Sequence, residues 1–258
     1  MLAFMLLPIV ALVVTLSWDD LVAGLSHPSV WPALRLSLVT TAISLVVVVL
    51  LGTPLAWRLS RKQGRAVRVV ETLVRLPAVL PPAVAGVALL LAFGRKGLLG
   101  AWLASHDLSV PFTAAAVVMS QVFVSAPFFL QAASSAFRAL DEDQLTVAST
   151  LGASRGEVFA RIALPLAAPG LVAGAAMSWA RALGEFGATL MFAGNLVGKT
   201  QTLTLAVYTT FESDMRAAQA LSLVLVVVAF SLLYALTSRT RPAVQDRPDR
   251  RGNAHAGD

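Results

Sequence analysis

Two side chains of opposite charge stand four residues apart in an apolar stretch of the second half of the chain. Arg181 and Glu185 are surrounded there by alanine, glycine, leucine and phenylalanine. If the stretch is one helix that enters a membrane at Leu166, they lie about 22 and 28 Å along an apolar layer of about 30 Å. At this spacing they share a helix face. We expect an ion pair, because an unpaired charge at that depth costs several kcal/mol.

Two roles for this pair follow from its chemistry. In one, it is a structural ion pair that fixes its helix against neighbouring helices. In the other, Arg181 offers positive potential to a passing anion, while Glu185 orients the anion or keeps its path closed. Small and polar side chains suit such a path, since transporters often line it with interrupted helices. On this stretch they are Ser178, Gly184, Gly187 and Thr189.

Other patterns that could carry chemistry fail on spacing or context. Residues 194–200 resemble a P-loop, but their glycines are one residue too close together. The sequence contains no H-E-x-x-H motif and no nucleophile elbow. Its three histidines are scattered without ligand spacing, and it has no cysteine. We therefore expect no catalytic residue, no metal site and no cofactor.

The composition predicts a membrane protein. The chain of 258 residues is 57% hydrophobic and only 13% charged, which argues against an ordinary soluble fold. Its apolar runs predict an all-α polytopic protein with six transmembrane helices. The first run is interpreted as a retained span, because it lacks a basic leader and a small-x-small cleavage site. The runs cover about residues 2–17, 36–57, 76–93, 112–135, 166 onward and 217–236.

The third apolar run is interrupted by prolines. Pro77, Pro81 and Pro82 prevent a regular helix at its inner end. Backbone groups freed inside a membrane need a neighbouring helix or a wet cavity, so Pro81 and Pro82 join the candidates for a path or gate. A simple bend at the membrane surface is the alternative.

The positive charges predict the orientation. Lys and Arg number fourteen in the loops and tail of one side and five on the other, and the richer side is normally cytoplasmic. Both termini are then cytoplasmic, with residues 1–238 as the membrane domain. Residues 239–258, rich in Pro, Arg, Asp and Gly, are expected to be a disordered cytoplasmic tail. The cations flank apolar runs and form no aromatic-interleaved patch, so no nucleic-acid partner is expected.

One long polar interval, residues 141–165, separates the fourth run from the fifth. Asp141 and Ser154 each stand three residues before a Gln or Glu, which is the spacing of a capping box. Gly152, between them, suits a turn with positive φ. The interval predicts two short amphipathic helices joined at Gly152, the second ended by Pro165. Such an element on the cytoplasmic side favours docking of a soluble partner.

This interval resembles the EAA loop of ABC-importer permeases. Gly152 and residues 162–165, I-A-L-P, reproduce the spacing G-x9-I-x-L-P, whereas residues 146–148 read T-V-A where the family usually has E-A-A. In that family the loop is cytoplasmic and fits a cleft on the ATPase subunit. The resemblance implies that ATP is hydrolysed by a separate subunit and that this chain is not an enzyme. The implied coupling residues are Leu145, Ala148, Leu151, Gly152, Ser154, Val158, Phe159, Ile162, Leu164 and Pro165.

Two further runs are similar to permeases for molybdate and for sulfate. They are residues 180–189, A-R-A-L-G-E-F-G-A-T, and residues 75–82, R-L-P-A-V-L-P-P, the latter resembling molybdate permeases. The resemblance extends over about residues 36–235. It implies the type I permease fold in a bacterial inner (plasma) membrane and an oxyanion cargo, molybdate, with sulfate, thiosulfate or tungstate as alternatives. It also implies a homodimer of permeases, two ABC ATPase subunits and an extracytoplasmic oxyanion-binding protein.

Two other classes of protein stay open. An ion-gradient-driven secondary transporter would usually show inverted repeats and more than one intramembrane carboxylate. A membrane scaffold would use the polar interval only to recruit a soluble protein. The sequence shows no internal repeat, and Glu185 is the single carboxylate within a predicted span.

Overall fold

The computed structural model of the chain describes residues 1–238, and these residues form helices and no β-strand. This confirms the predicted all-α class. The tail predicted for residues 239–258 lies outside the described residues. In chain order the helices are α1 (Leu2–Val14), α2 (Trp18–Leu25), α3 (Val30–Ser60), α4 (Arg65–Val79), α5 (Pro82–Phe93), α6 (Gly100–Ser105), α7 (Ala114–Arg138), α8 (Glu142–Thr150), α9 (Arg155–Glu157), a π-helical turn (Val158–Ala163), α10 (Leu164–Leu183), α11 (Gly187–Ala193), α12 (Leu203–Ser213) and α13 (Met215–Thr237).

Four stretches of helix are long and apolar enough to cross a membrane. They are α3, α7, the continuous helix Arg155–Leu183, and Met215–Leu236 within α13. Two pairs, α1 with α2 and α4 with α5, reach that length only together, and they are bent by 83° and 115°. Of the six predicted spans, four are therefore single helices, and the first and third fall on these bent pairs.

The break in the third span follows from its prolines. Leu80 is extended, with φ −64° and ψ 136°, as steric conflict with the following proline requires. The next helix, α5, starts at Pro82, where a missing backbone N–H costs nothing. The predicted irregularity is thus confirmed, but the predicted start at residue 76 is wrong. There α4 continues to Val79, and Pro77 lies within it.

The centre of the bundle is formed by α3, α7 and α10. Gln121 of α7 is buried and bridges two hydroxyl groups of α3. It accepts from Ser44 Oγ at 2.9 Å, and its Nε2 donates to Thr40 Oγ1 at 3.2 Å. Ser178 Oγ of α10 donates to the Ser125 carbonyl of α7 at 3.1 Å. Lipid tails are as apolar as the side chains of a membrane helix, so the hydrophobic effect does not drive helices together there. Polar contacts of this kind help to hold the helices together instead.

A close approach of two helices positions α11 against α5. A Cβ at Gly86 of α5 would lie 2.7 Å from the Ala188 carbonyl oxygen and 2.9 Å from Ala188 Cα. Only glycine allows the two backbones to pack at this distance. The start of α11 is therefore fixed beside α5, next to the residues that follow α10.

Candidate functional site

The polar interval begins with the predicted helix cap. Asp141 Oδ1 accepts from the Asp143 backbone N–H at 2.9 Å, and α8 follows as a helix of nine residues. The predicted N-terminus at Asp141 is confirmed. Its cap uses the N–H of Asp143 alone and is not the reciprocal capping box expected with Gln144.

The turn after α8 requires its glycine. Gly152 has φ +91°, and no atom lies within 4 Å of the position that a Cβ would take. Its N–H donates to the Ser149 carbonyl at 3.1 Å, and the Ala153 N–H donates to the Ala148 carbonyl at 3.1 Å. The left-handed conformation predicted for Gly152 is confirmed, and the constraint on this position is the backbone angle and not space.

The second predicted capping box is present. Ser154 Oγ accepts from the Glu157 N–H at 3.3 Å, and Glu157 Oε2 accepts from the Ser154 N–H at 3.0 Å. The box therefore fixes where the chain turns from Gly152 into the next helix.

The helix after this cap is not short, so the prediction that Pro165 ends it is wrong. Helix α9 passes through the π-helical turn into α10 and continues to Leu183. The Leu164 N–H bonds to the Phe159 carbonyl, five residues back. This wider turn relieves the conflict between the Pro165 ring and the preceding turn, and it leaves the proline in the first turn of α10, where prolines are tolerated. The second half of the polar interval and the fifth span are one rigid element.

The implied coupling residues fall into two sets by burial. Leu145 and Val158 are only 8% and 6% exposed and belong to a core cluster with Phe137 of α7. The remaining apolar members that pack against the same cluster are Ala148, Phe159, Ile162 and Leu164. In contrast, Leu151 is 83% exposed, and Gly152, Ser154 and Pro165 are exposed as well. The buried set positions the segment on the rest of the chain, and contact of the exposed set with a partner stays a prediction.

Arg61, at the end of α3, was missed as a site residue by sequence reasoning. It was counted only among the positive charges that predict the orientation of the chain in the membrane. Its Nη2 donates to the Phe137 carbonyl at 2.8 Å, and its Nη1 lies 3.6 Å from Glu142 Oε1 in the first turn of α8. The guanidinium also lies over the Trp57 ring, 4.7 Å from its centroid. Trp57 in turn contacts Phe159, with ring centroids 5.5 Å apart. Arg61 thus links the ends of α3 and α7 to the polar interval.

A groove of about 1020 Å³ opens between the end of α3 and the polar interval. Its exposed cations, Arg58, Lys62 and Arg155, outnumber its single acid, Glu142. The groove is therefore a basic surface beside the predicted docking element.

The intramembrane ion pair is present, in a different setting from the expected one. Arg181 Nη1 lies 2.7 Å from Glu185 Oε2, and the Glu185 side chain is 1% exposed. The predicted pairing is confirmed, but the two residues do not share one continuous helix, because α10 ends at Leu183. Glu185 Oε1 accepts from the Ala188 N–H at 2.7 Å and so satisfies a donor at the start of α11. This bond favours a break over a continued helix.

The break between α10 and α11 gathers several of the path candidates. A Cβ at Gly187 would lie 2.8 Å from Pro82 Cβ, so the start of α11 lies against the start of α5. Thr204 Oγ1 of α12 donates to the Glu185 carbonyl at 2.9 Å. Thr204 was missed by sequence reasoning, since nothing in the spacing relates it to Glu185. The break is therefore a junction of four helices, α5, α10, α11 and α12.

Of the other path candidates, two are buried in the single chain and two are exposed. Ser178 is buried and engaged with α7, and Thr189 is fully buried with a side-chain oxygen that has no hydrogen-bond partner. Pro81 and Pro82 are exposed. Among residues 1–238, no group of three His, Asp or Glu side chains is placed to hold a metal ion.

A bundle of bent and continuous apolar helices, with a helix-turn-helix element in a polar loop, defines a multi-pass membrane protein. The family described as binding-protein-dependent transport system inner membrane component matches residues 48–242. The chain belongs to this family.

Within the family, the chain is similar to the molybdenum transport system permease protein ModB of Mycobacterium tuberculosis. The two are 47% identical over 237 residues, which cover 92% of this chain and 90% of that protein. The sulfate transport system permease protein CysT of Escherichia coli is 33% identical over 238 residues, covering 91% and 86%. These relatives confirm the family resemblance carried by the sequence motifs.

The fold is that of the permeases of type I ABC importers. A crystal structure of a bacterial ABC transporter involved in the import of the acidic polysaccharide alginate superposes on the chain with a TM-score of 0.75. The match covers 95% of this chain and 92% of the other at 16% identity. At that identity the likeness concerns the fold alone.

Proposed function

We propose that the chain is the permease subunit of an ATP-driven oxyanion importer whose cargo is molybdate. The observation that carries this proposal is the 47% identity to the molybdenum permease over 92% of the chain, against 33% to the sulfate permease. The cargo is a tetrahedral oxyanion in both cases, so sulfate, thiosulfate and tungstate are the competitors to test.

In the proposed assembly, two copies of this chain form a homodimer that encloses the path across a bacterial inner membrane. Residues 1–238 form the permease domain, and both termini are cytoplasmic. Two ABC ATPase subunits bind the 141–165 segments, and an extracytoplasmic binding protein delivers the oxyanion. The support for this orientation is the excess of Lys and Arg on the side of that segment.

Coupling rests on the exposed and buried sides of the segment. The ATPase contacts the exposed side around Leu151 and Gly152, and closure of the ATPase dimer displaces it. The buried Leu145 and Val158, together with Arg61, carry that displacement to the ends of α3 and α7. Packed interfaces respond to such a push by moving between discrete arrangements.

The continuous helix from Arg155 to Leu183 carries the same displacement into the membrane. It joins the Ser154 cap to the break that contains Glu185. Movement of this helix therefore acts on the junction of α5, α10, α11 and α12. Pro81, Pro82, Ser178 and Thr189 remain the candidates for the path or gate.

Arg181 and Glu185 serve this junction as an ion pair. Glu185 holds the start of α11, and its carboxylate balances most of the charge that Arg181 would offer to an anion. A balanced pair gives a path without a tight anion site, which a permease needs for release of its cargo. Selectivity is then set chiefly by the binding protein.

The test is uptake of labelled molybdate by vesicles that contain this chain with its ATPase and binding protein. Accumulation that excess tungstate suppresses and excess sulfate does not is expected for a molybdate importer. Suppression by sulfate at equal concentration would assign the chain to the sulfate branch. Absence of oxyanion uptake in an intact complex would overturn the proposal.

A further inference from the structure

Helix α4 carries an apolar face that nothing in the described chain covers. Val69, Val70, Leu73 and Leu76 are between 40% and 59% exposed, and no residue of α4 is buried. At 100° per residue they fall within an arc of about 120° on one side of the helix. Four large apolar side chains in one arc form a continuous apolar surface. Such a surface marks an interaction site, whereas apolar side chains that are exposed singly do not.

The opposite side of α4 is fastened to the bundle. Glu71 forms an ion pair with Arg138, the last residue of α7, and Val74 packs against the core cluster of α3 and α7. These contacts fix the rotation of α4 about its own axis. The apolar arc must therefore point away from the bundle.

The bend after α4 sets its direction. The axes of α4 and α5 differ by 115°, so α4 does not continue the line of the spanning helix that follows it. The Glu71 ion pair joins it to Arg138, at the end of α7 from which the 141–165 segment departs. Helix α4 therefore lies beside that end of the bundle.

The charges beside the apolar arc are basic. Arg65 and Arg68 are exposed on α4, and Arg58 and Lys62 precede them at the end of α3. The only acid of α4, Glu71, is already paired with Arg138. A helix with an apolar face and a row of arginines lies in the plane of a membrane, with its apolar side chains among the acyl chains and its guanidinium groups at the phosphates.

We propose that α4 is a membrane-surface helix that binds anionic phospholipids of the leaflet on the side of the 141–165 segment. Phosphatidylglycerol-type headgroups pair with Arg65 and Arg68, while Val69, Val70 and Leu73 insert below them. Because Glu71 ties α4 to the end of α7, lipid composition acts on the same helix end that holds the polar segment. The inference is independent of the cargo.

The first experiment asks what covers the apolar arc. The chain has no cysteine, so a single Leu73→Cys substitution gives one labelling site for a spin label in the full chain, kept with its co-purifying subunits in bilayers. The label should be accessible to oxygen and shielded from a water-soluble nickel reagent. Thr72→Cys, about 100° around the helix, is the matched control and should be accessible to nickel. Shielding of the Leu73 label from both reagents would show that protein covers this face, and nickel access would show water; either result overturns the proposal.

The second experiment tests the lipid headgroup. A fluorophore at Leu73→Cys is quenched by doxyl-labelled phosphatidylglycerol or by doxyl-labelled phosphatidylcholine at equal mole fraction. Stronger quenching by the anionic lipid is expected, and each arginine near the surface contributes about fivefold to that preference. Arg65→Gln with Arg68→Gln should remove most of it, whereas Arg95→Gln with Lys96→Gln, two exposed cations beyond the far end of α5, should leave it unchanged. Equal quenching by both lipids in the unmodified helix would refute the anionic specificity.

Discussion

Replacing Leu151 with alanine, with Leu145→Ala as its matched partner, separates docking from positioning in the 141–165 segment. Both leucines lie on the predicted docking element, and the two substitutions remove the same atoms. Leu145 is 8% exposed in the core cluster, whereas Leu151 is 83% exposed. Leu145→Ala should therefore lower the stability of the permease, and Leu151→Ala should weaken binding of the partner.

The magnitudes follow from burial. Leu145→Ala removes a buried side chain beside Phe137, and such changes cost about 2–5 kcal/mol of stability. Leu151→Ala should change stability by no more than about 0.5 kcal/mol, as exposed substitutions do. If Leu151 is buried in an ATPase cleft, its loss removes about 1.5–3 kcal/mol of binding. That range corresponds to a Kd raised about 10- to 150-fold.

The assay measures the thermal unfolding of the purified permease and its affinity for the ATPase subunit on the same preparations. Leu151→Ala should unfold at the temperature of the unmodified chain and bind the ATPase more weakly. Leu145→Ala should unfold at a lower temperature. The reasoning is refuted if Leu151→Ala binds normally, or if Leu145→Ala weakens binding without any loss of stability.

Three further predictions concern the two glycine positions with special geometry and the ion pair. Gly152→Val should insert normally and abolish ATP-coupled uptake, because a β-branched residue at φ +91° is strained. The control Gly156→Val, with open space around it, should support uptake. Equal uptake by both variants would contradict the prediction. Glu185→Gln should keep the hydrogen bond to α11 and lose about 1.5–3 kcal/mol of stability, because Arg181 is left unpaired. In a double-mutant cycle, its stability loss and that of Arg181→Gln should not be additive. Additive losses would exclude the ion pair. Gly86→Ala should lower the unfolding temperature, because its Cβ would lie 2.7 Å from a carbonyl oxygen of α11. Such overpacking costs about 1–3 kcal/mol of stability. An unchanged unfolding temperature would show that α5 and α11 separate freely.

Features set by near neighbours in the chain could be predicted from the sequence. The caps at Asp141 and Ser154 and the left-handed Gly152 depend on residues a few positions away, and all are observed. The pairing of Arg181 with Glu185 was predictable for the same reason. Four of the six apolar runs coincide with single helices long enough to cross a membrane, because span length depends on composition over about 20 residues.

Features that depend on distant contacts could not be predicted. Arg61 bonds to a carbonyl 76 positions away in the sequence, and spacing gives no sign of it. Two local features were missed as well, the cap that Glu185 forms on α11 and the π-helical turn before Pro165. The sequence allows Glu185 to continue its helix or to cap the next one, and it allows Pro165 to end a helix or to stand in its first turn. The family resemblance placed both Leu145 and Leu151 among the coupling residues, but it cannot tell whether a side chain packs on its own chain or on a partner.

We propose that this permease moves an oxyanion with energy from ATP hydrolysis in a separate subunit, which acts on residues 141–165. The most direct measurement is accumulation of labelled molybdate in proteoliposomes that contain the complete complex, with ATP supplied or withheld and with ion gradients dissipated by ionophores. We expect accumulation that requires ATP on the side of the 141–165 segment and that persists when every ion gradient is dissipated. Accumulation without ATP that collapses with an ion gradient would contradict it and would establish a secondary transporter.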